Sequence, residues 1–132
     1  MKQIVCFLFI TIGMYTNSLN AQEIIWLDNS FVETTQDKAD YYRINVKLEG
    51  EISFYYKKRT LFRKVFYSKS KPNGVFYEYY ETGELKETGV YENGLRVGIW
   101  KEFYQGGQIK SKGKYTKGEK VGIWKIFYKN DR

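Results

Sequence analysis

The sequence predicts an all-β protein: an open, elongated, single-layer antiparallel sheet of successive β-hairpin repeats, each about 24 residues long. The string GIWKEFY, which starts at Gly98, returns as GIWKIFY at Gly122, and the same step of 24 residues leads back to Gly74. The chain has only 132 residues, of which 19% are aromatic and 12 are glycine. Aromatic runs punctuated by glycine are typical of strands joined by tight turns.

Two clear repeats align without gaps, at residues 74–97 and 98–121. Their identical positions are Gly74/Gly98, Glu78/Glu102, Tyr80/Tyr104, Gly83/Gly107, Lys86/Lys110, Gly89/Gly113, Tyr91/Tyr115, Gly94/Gly118 and Val97/Val121. Residues 50–73 keep Tyr55, Tyr56, Leu61 and Tyr67 in register but lose the later glycines, which indicates a degenerate first repeat. A terminal half repeat occupies residues 122–132.

Each unit reads as two strands separated by residues that accept positive φ. The expected turns are Thr82-Gly83, Asn93-Gly94, Gly106-Gly107 and Lys117-Gly118. The two-residue period of a strand places Phe76, Glu78 and Tyr80 on one face, matched by Trp100, Glu102 and Tyr104. Glycines inside the second strands, Gly89 and Gly113, are expected beneath neighbouring aromatic rings. Both faces carry apolar residues, so the pattern leaves open which face is the more buried.

A lead-in of residues 22–49 precedes the repeats, and one strand is expected in it. Tyr42, Ile44, Val46 and Leu48 alternate with polar residues, which is the pattern of a half-buried strand. Glu49-Gly50 would turn that strand back into residues 52–56. Upstream, residues 28–40 are polar and indicate either a loop or one capped helical turn.

Residues 1–21 read as a secretory signal peptide, with Lys2, an uncharged run from Ile4 to Tyr15, and then small and polar residues. Cleavage is expected between Ala21 and Gln22; the alternative is a retained anchor, which the shortness of the run disfavours. The protein is therefore expected to be exported to the periplasm or the extracellular space. The single cysteine, Cys6, lies inside the leader, so backbone pairing and aromatic packing must stabilise the mature domain without disulfides.

The chain is basic, with a formal net charge of +7. A run from Lys57 to Lys64, which includes Lys58 and Arg59, interleaves basic and aromatic residues as nucleic-acid stripes do. Export disfavours nucleic acid as a partner. Binding to an anionic envelope surface, lipid or lipopolysaccharide, remains open, beside the interpretation that the lysines only keep an exposed hairpin soluble.

The composition argues against an enzyme. The sequence has no histidine, and the expected mature chain has no cysteine, which excludes the common metal clusters and Ser-His or Cys-His nucleophiles. Glu78, Glu81, Glu84 and Glu87 could suggest the paired carboxylates of a glycosidase, but a thin sheet offers no deep cleft for them. We therefore expect no catalytic residues, no cofactor and no metal.

The repeats resemble the MORN-repeat variant found in many bacterial proteins, whose units run glycine, any residue, tryptophan, paired aromatics, a glycine turn and a glycine-x-tyrosine step. GIWKEFYQGGQIKSKGKYTKGEKVGIWKIFY matches almost throughout, and GVFYEYYETGELKETGVYENG matches with Phe76 in the tryptophan place. The resemblance covers Gly74 to Tyr128 well and residues 50–73 weakly. The lead-in WLDNSFVETTQDKADYYRI is similar to that of exported bacterial members.

The resemblance implies an open sheet of hairpins that contacts other molecules, and it brings no catalytic residues. Eukaryotic MORN proteins are associated with membranes, lipid head groups and protein assembly, and some bacterial members are labelled antitoxins of toxin-antitoxin pairs. A signal peptide departs from a cytoplasmic antitoxin, which puts that label in doubt for this chain.

We therefore expect a non-enzymatic, exported repeat protein that binds a protein partner or the cell envelope through an aromatic and basic sheet surface. Either an unidentified protein or a second copy would add to the C-terminal edge strand. The alternatives are a carbohydrate- or anionic-lipid-binding module, with rings stacked on sugar, and an antitoxin-like neutralising partner. The candidate binding residues are Trp100, Tyr104, Trp124, Phe127, Tyr128, Lys57, Lys58 and Arg59.

Overall fold

A computed structural model describes residues 22–129, which form one antiparallel sheet of nine strands in chain order. The strands are β1 (Ile25–Leu27), β2 (Tyr41–Arg43), β3 (Gly50–Tyr56), β4 (Leu61–Ser68), β5 (Lys71–Tyr79), β6 (Leu85–Glu92), β7 (Leu95–Phe103), β8 (Ile109–Thr116) and β9 (Glu119–Ile126). The predicted all-β hairpin architecture is confirmed. No helix occurs in this range, and so none there could cross a membrane. The expected signal peptide, residues 1–21, lies outside the described residues.

Two-residue turns join every second pair of strands. Asn93-Gly94 and Lys117-Gly118, both predicted, have positive φ at both residues, as a type I′ turn requires. Lys69-Ser70 makes the same turn in the degenerate repeat, with φ of 51° and 61°. It was missed because neither residue is glycine. The predicted turn glycines Gly83 and Gly107, in the longer β5–β6 and β7–β8 connections, also have positive φ.

The glycine that opens each unit makes a bulge. Between the pairs Thr88↔Lys101 and Val90↔Val97, three residues of β7 oppose the single residue Gly89 of β6. Gly98 has a φ of 67° within this bulge, a conformation that glycine adopts without the cost other residues incur. Gly122 repeats the arrangement in β9 with a φ of 65°. The bulge therefore recurs with the 24-residue period.

One face of the sheet is buried, which answers the question that the sequence leaves open. A row of paired residues crosses this face, called here the aromatic face: Ile52, Val65, Phe76, Gly89, Trp100, Gly113 and, at the last strand, Trp124. Trp100 and Ile52 are the largest fully buried side chains. The opposite face is called here the lysine face. It bears the row Lys64, Tyr77, Thr88, Lys101, Lys112 and Lys125.

The lead-in differs from its prediction, because it contains two short strands and not one long one. β2 ends at Arg43, whose guanidinium turns back onto the carbonyl oxygens of Asn45 and Val46. Arg43 is buried and Val46 is exposed, so the predicted parity is also wrong. The alternation of Tyr42 to Leu48 is therefore not a strand pattern; this arginine satisfies backbone carbonyls that strand pairing would otherwise engage.

Residues 28–40 form turns and not a helix, and they cover one end of the aromatic face. Phe31 stacks on Tyr41 and Phe62, with ring centroids 5.1 Å and 5.8 Å apart. Arg63 lies over the Phe31 ring at 4.5 Å. The lead-in thus closes the N-terminal end of the core.

Candidate functional site

Tryptophan and glycine fit together across neighbouring strands of the aromatic face. A Cβ built on Gly89 would lie 2.2 Å from the Trp100 ring, and one on Gly113 would lie 2.2 Å from the Trp124 ring. No real side chain tolerates that distance, so each glycine leaves the space that the next unit's indole fills. The predicted role of the in-strand glycines is confirmed.

The two tryptophans have unequal surroundings. Trp100 stands edge-on between Tyr91 and Tyr115, with centroids 5.1 Å and 5.9 Å away, and its Nε1 donates a hydrogen bond to the Val97 carbonyl at 3.2 Å. In the described part of the chain, Trp124 meets only Tyr115 in this way, at 5.1 Å. Its Nε1 is buried without a hydrogen-bond partner among the described residues, which is unfavourable. The aromatic ladder is therefore incomplete at β9.

Charged side chains beside the ladder are paired. Glu78 is 7% exposed and accepts hydrogen bonds from Arg63 at 2.7 Å and 3.1 Å, with Lys86 at 3.1 Å. Arg96 contacts Glu87 at 2.7 Å and stacks 4.0 Å above the Trp100 ring. Pairing offsets part of the cost of burying these charges, and removing one partner would leave the other unpaired, so this part of the surface is structural.

The next unit repeats the pattern closer to solvent, where Lys110 Nζ lies 2.8 Å from Glu102. Burial by itself would raise the pKa of Glu102, but the Lys110 and Ser111 hydrogen bonds hold that pKa below its usual value. Burial by itself would lower the pKa of Arg96, but the hydrogen bond and the charge of Glu87 raise that pKa above its usual value. Both groups therefore stay ionised in their pairs.

A second ladder, of tyrosine hydroxyls, links successive units at the side of the sheet that carries the longer turns. Tyr56, Tyr80 and Tyr104 donate to the carbonyl oxygens of Tyr79, Phe103 and Phe127 at 2.8, 2.7 and 2.9 Å. Each bond spans 23 residues, one fewer than the repeat. Tyr128 is the next position in this series and is 86% exposed. The 24-residue tyrosine spacing was the sequence signal for this ladder, although the hydroxyl role was not predicted.

Large apolar side chains are exposed where the two ladders stop. Ile123 is 85% exposed and Ile126 65%, and Phe127 and Tyr128 follow them directly. The set Ile123, Trp124, Ile126, Phe127 and Tyr128 is called here the C-terminal edge. Among residues 22–129, β9 pairs with β8 on one side only.

The opposite edge of the sheet is protected. Leu27 of β1 forms an isolated antiparallel bridge with Glu33, and the Thr34 N–H donates to the Trp26 carbonyl at 2.9 Å. The chain thereby covers its own first strand, a common protection against edge-to-edge pairing. The C-terminal edge has no such cover among the described residues.

The structure does not bring the eight predicted binding residues together. Trp100 is 1% exposed, so the expectation that its ring meets a partner is wrong: neighbouring units seal it in the core. Trp124, Phe127 and Tyr128 do cluster at the C-terminal edge, next to half-buried Tyr104.

The basic residues Lys57, Lys58 and Arg59 lie far from that edge, in the β3–β4 turn. β4 and β9 are separated by five strand spacings, about 24 Å. Lys58 pairs with Glu81 at 3.0 Å, and Lys57 Nζ donates to the Asp37 carbonyl at 3.2 Å. These residues are thus part of the turn region beside the lead-in and do not extend the C-terminal edge.

A groove of 750 Å³ runs over the lysine face. Its lining includes four lysines and exposed aliphatic residues: Lys101, Lys112, Lys114, Lys125, Val75, Val90, Ile99 and Ile123. None of these four lysines makes a salt bridge within residues 22–129. No pattern in the sequence indicated these lysines as a group.

Candidate acidic sites do not assemble in the described part of the chain. Residues 22–129 hold no group of three or more His, Cys, Asp or Glu side chains placed to bind a metal ion. Glu78 and Glu87 are engaged in ion pairs, while Glu81 and Glu84 are exposed around the β5–β6 turn. This arrangement gives each carboxylate a structural or solvated position.

Comparison with known proteins agrees with the repeat period. No curated protein matches the chain. Residues 72–93 and 96–117 each match the model of the MORN repeat variant, and the two segments are offset by the same 24 residues as the hairpins. Strands β5 to β8, which carry the fit of Trp100 over Gly89, are thus similar to MORN repeat variants.

Proposed function

We propose that this chain is an exported, non-enzymatic repeat protein that binds another protein by receiving a β-strand at its C-terminal edge. The site of action would be the periplasm or the extracellular space. The observation that carries the proposal is Trp124, which has the tryptophan position of a unit; the second strand that completes the unit of Trp100 has no counterpart for Trp124 among residues 22–129. MORN-type repeats, which this chain resembles, present hairpin surfaces to other molecules.

The internal units specify what strand would fit. β5 and β7 receive β6 and β8 with Phe76 opposite Gly89 and Trp100 opposite Gly113. Trp124 would by the same register face a glycine, with a tyrosine two residues later opposite Gly122. The partner segment therefore has the form Leu/Ile-x-x-x-Gly-x-Tyr, and its backbone would supply most of the affinity.

The test uses purified residues 22–132 and a fluorescent peptide with the sequence of β6, LKETGVYE. This peptide has one lysine and two glutamates, which suits an edge that contains Lys125. Saturable binding measured by fluorescence anisotropy is expected, together with a shift in tryptophan emission. The control peptide has valine in place of its glycine, and the clash of that side chain with Trp124 should abolish binding.

A proline variant distinguishes strand pairing at the C-terminal edge from non-specific binding of the peptide. The Phe127 N–H donates to Lys110 on β8 at 2.9 Å, so the preceding N–H, of Ile126, points to the free side. Ile126→Pro should therefore abolish peptide binding while β8 pairing persists, and Ile126→Ala should retain it. Equal binding by both variants would refute the proposal.

Light scattering on the same samples tests whether a second copy of the chain binds at the C-terminal edge. A dimer that Ile126→Pro converts to monomer would mean that the edge is used for self-association. If the wild type is monomeric and binds no glycine-bearing strand, the edge does not accept strands and the proposal fails.

A further inference from the structure

The lysine face holds a row of positive charge that is paired at β4, where Lys64 lies 2.8 Å from Glu51, but that has no acidic partner on β7 to β9 within residues 22–129. On the aromatic face, Arg63 and Lys86 pair with Glu78, Arg96 pairs with Glu87, and Lys110 pairs with Glu102. On the lysine face, Lys101 is directly opposite Lys112, which is directly opposite Lys125. Like charges opposite each other across strands are destabilising. Three successive lysines without a neighbouring acid therefore repel one another and destabilise the sheet, and the packing of the sheet does not explain why they are there.

The same row continues beyond the three lysines with groups that can bind a polar chain. Lys101 is opposite Thr88, Thr88 is opposite Tyr77, and Tyr77 is opposite Lys64. Lys64 already pairs with Glu51, so the free groups of this part of the row are Thr88 and Tyr77. Tyr77 is 38% exposed, so part of its side chain reaches solvent. The row crosses six strands, which is five strand spacings or about 24 Å.

From this row we propose that the lysine face binds a linear acidic polysaccharide laid across the strands. Charges on adjacent strands recur about every 4.8 Å. A polyuronate carries one carboxylate on each sugar, so an extended chain presents charges at a comparable, regular interval. The lysines would neutralise successive carboxylates, and each pairing would relieve the repulsion between the lysines themselves.

The flanks of the row favour sugar over the other common polyanions. Val75, Val90, Ile99 and Ile123 line the groove with aliphatic surface, on which the C–H faces of sugar rings can pack. Single-stranded nucleic acid is held by several rings on which successive bases stack; Tyr77 is the one aromatic residue in the row, and the groove's lining within residues 22–129 contains no aromatic side chain. A groove also suits a single polymer chain better than a flat lipid surface.

The experiment measures binding of an oligogalacturonate to purified residues 22–132 by isothermal titration calorimetry. The matched control ligand is the same oligomer with its carboxylates methyl-esterified, which is equal in shape but uncharged. Binding of the acidic form alone is expected, and it should weaken as salt is added. Equal binding of the two forms would overturn the proposal.

Substitutions in the row test its position. Lys112→Gln should weaken binding about fivefold, the equivalent of about 1 kcal/mol for one lysine near an anionic ligand, and Lys101→Gln combined with Lys112→Gln and Lys125→Gln should abolish it. Lys58→Gln removes the same charge from the distant β3–β4 turn, where the side chain is 81% exposed, and should leave binding unchanged. Equal weakening by Lys58→Gln and Lys112→Gln would mean non-specific attraction, which would overturn the proposal.

Thermal melts of the same variants show whether a loss of binding is due to loss of the folded structure. Removing one of three opposed lysines should leave Tm unchanged or raise it, so a loss of binding with an intact melt supports the site. Vesicles of phosphatidylglycerol and a single-stranded DNA oligomer are tested alongside. If either of them binds through Lys112 while oligogalacturonate does not, the polysaccharide proposal is refuted. The strand-binding edge is tested with different variants, so its outcome is independent.

Discussion

Trp100 and Trp124 occupy the same position of successive units, but a further strand pairs with the unit of Trp100 and none with that of Trp124 among residues 22–129. Trp100 lies between two tyrosines with its Nε1 hydrogen-bonded, and only 1% of it is exposed. Trp124 is half-buried, and within residues 22–129 it has one tyrosine neighbour and its Nε1 has no hydrogen-bond partner. Nearly identical local sequence therefore gives a core residue in one unit and an edge residue in the next.

The difference shows where the stability of this sheet comes from. A hairpin cannot bury its own apolar face, and each unit is completed by contacts from its neighbours. The chain repeats itself because repetition supplies the core, and it ends the described sheet on a unit that lacks its second strand. The lead-in closes the first units with Phe31, and no equivalent residue covers Trp124 among residues 22–129.

The largest difference between the two units is expected when their tryptophans are truncated. Trp100→Ala is expected to cost about 3–5 kcal/mol in the free energy of unfolding, the usual range for a buried aromatic. Trp124→Ala should cost less, because this ring packs against the core but is only partly buried. Urea denaturation followed by circular dichroism measures both. Equal losses would mean that the terminal unit is as well packed as the internal one.

Adding a methyl group beneath each ring probes the same difference on a smaller scale. Gly89→Ala places its Cβ in the Trp100 ring, which neighbours hold on both sides, and should cost about 1–3 kcal/mol. Gly113→Ala should cost less, because Trp124 can move towards solvent. Gly106→Ala is the control, since a Cβ at that position would have no neighbour within 4 Å. A Gly113→Ala loss that exceeds the Gly89→Ala loss would contradict the open edge.

Much of this fold was predictable because its elements repeat with a fixed period. The hairpins, the Asn93-Gly94 and Lys117-Gly118 turns, and the glycines under indole rings all follow from local chemistry seen twice in the sequence. The lead-in was less predictable, because its structure depends on contacts distant in sequence. Tyr42 to Leu48 alternates like a strand, and only the burial of Arg43 against nearby carbonyls shows why pairing stops.

The candidate site was predictable only in part, because exposure depends on the neighbouring unit. Trp100 and Trp124 cannot be distinguished by their own sequence, although one is buried and the other borders an open edge. The lysine row was missed for a related reason. Lys101, Lys112 and Lys125 are 11 and 13 residues apart, and only the strand register places them directly opposite one another.

The smallest effect concerns the tyrosine ladder, where Tyr56 is internal and Tyr128 is terminal. Tyr56→Phe should cost about 1 kcal/mol, the usual value of one hydrogen bond, and Tyr128→Phe should have no effect because that side chain is 86% exposed.

Burial, and then the charge of Tyr41, raises the pKa of Tyr56 from 10 to about 12. The folded state therefore favours the neutral hydroxyl, whose contribution is complete below pH 10 and is lost as the pH rises through 12. The stability difference between wild type and Tyr56→Phe, measured by urea denaturation from about pH 8 to 12, should shrink as the pH rises towards the pKa of the folded state. A difference that stays constant across this range would mean that the Tyr56 hydroxyl contributes nothing through its proton.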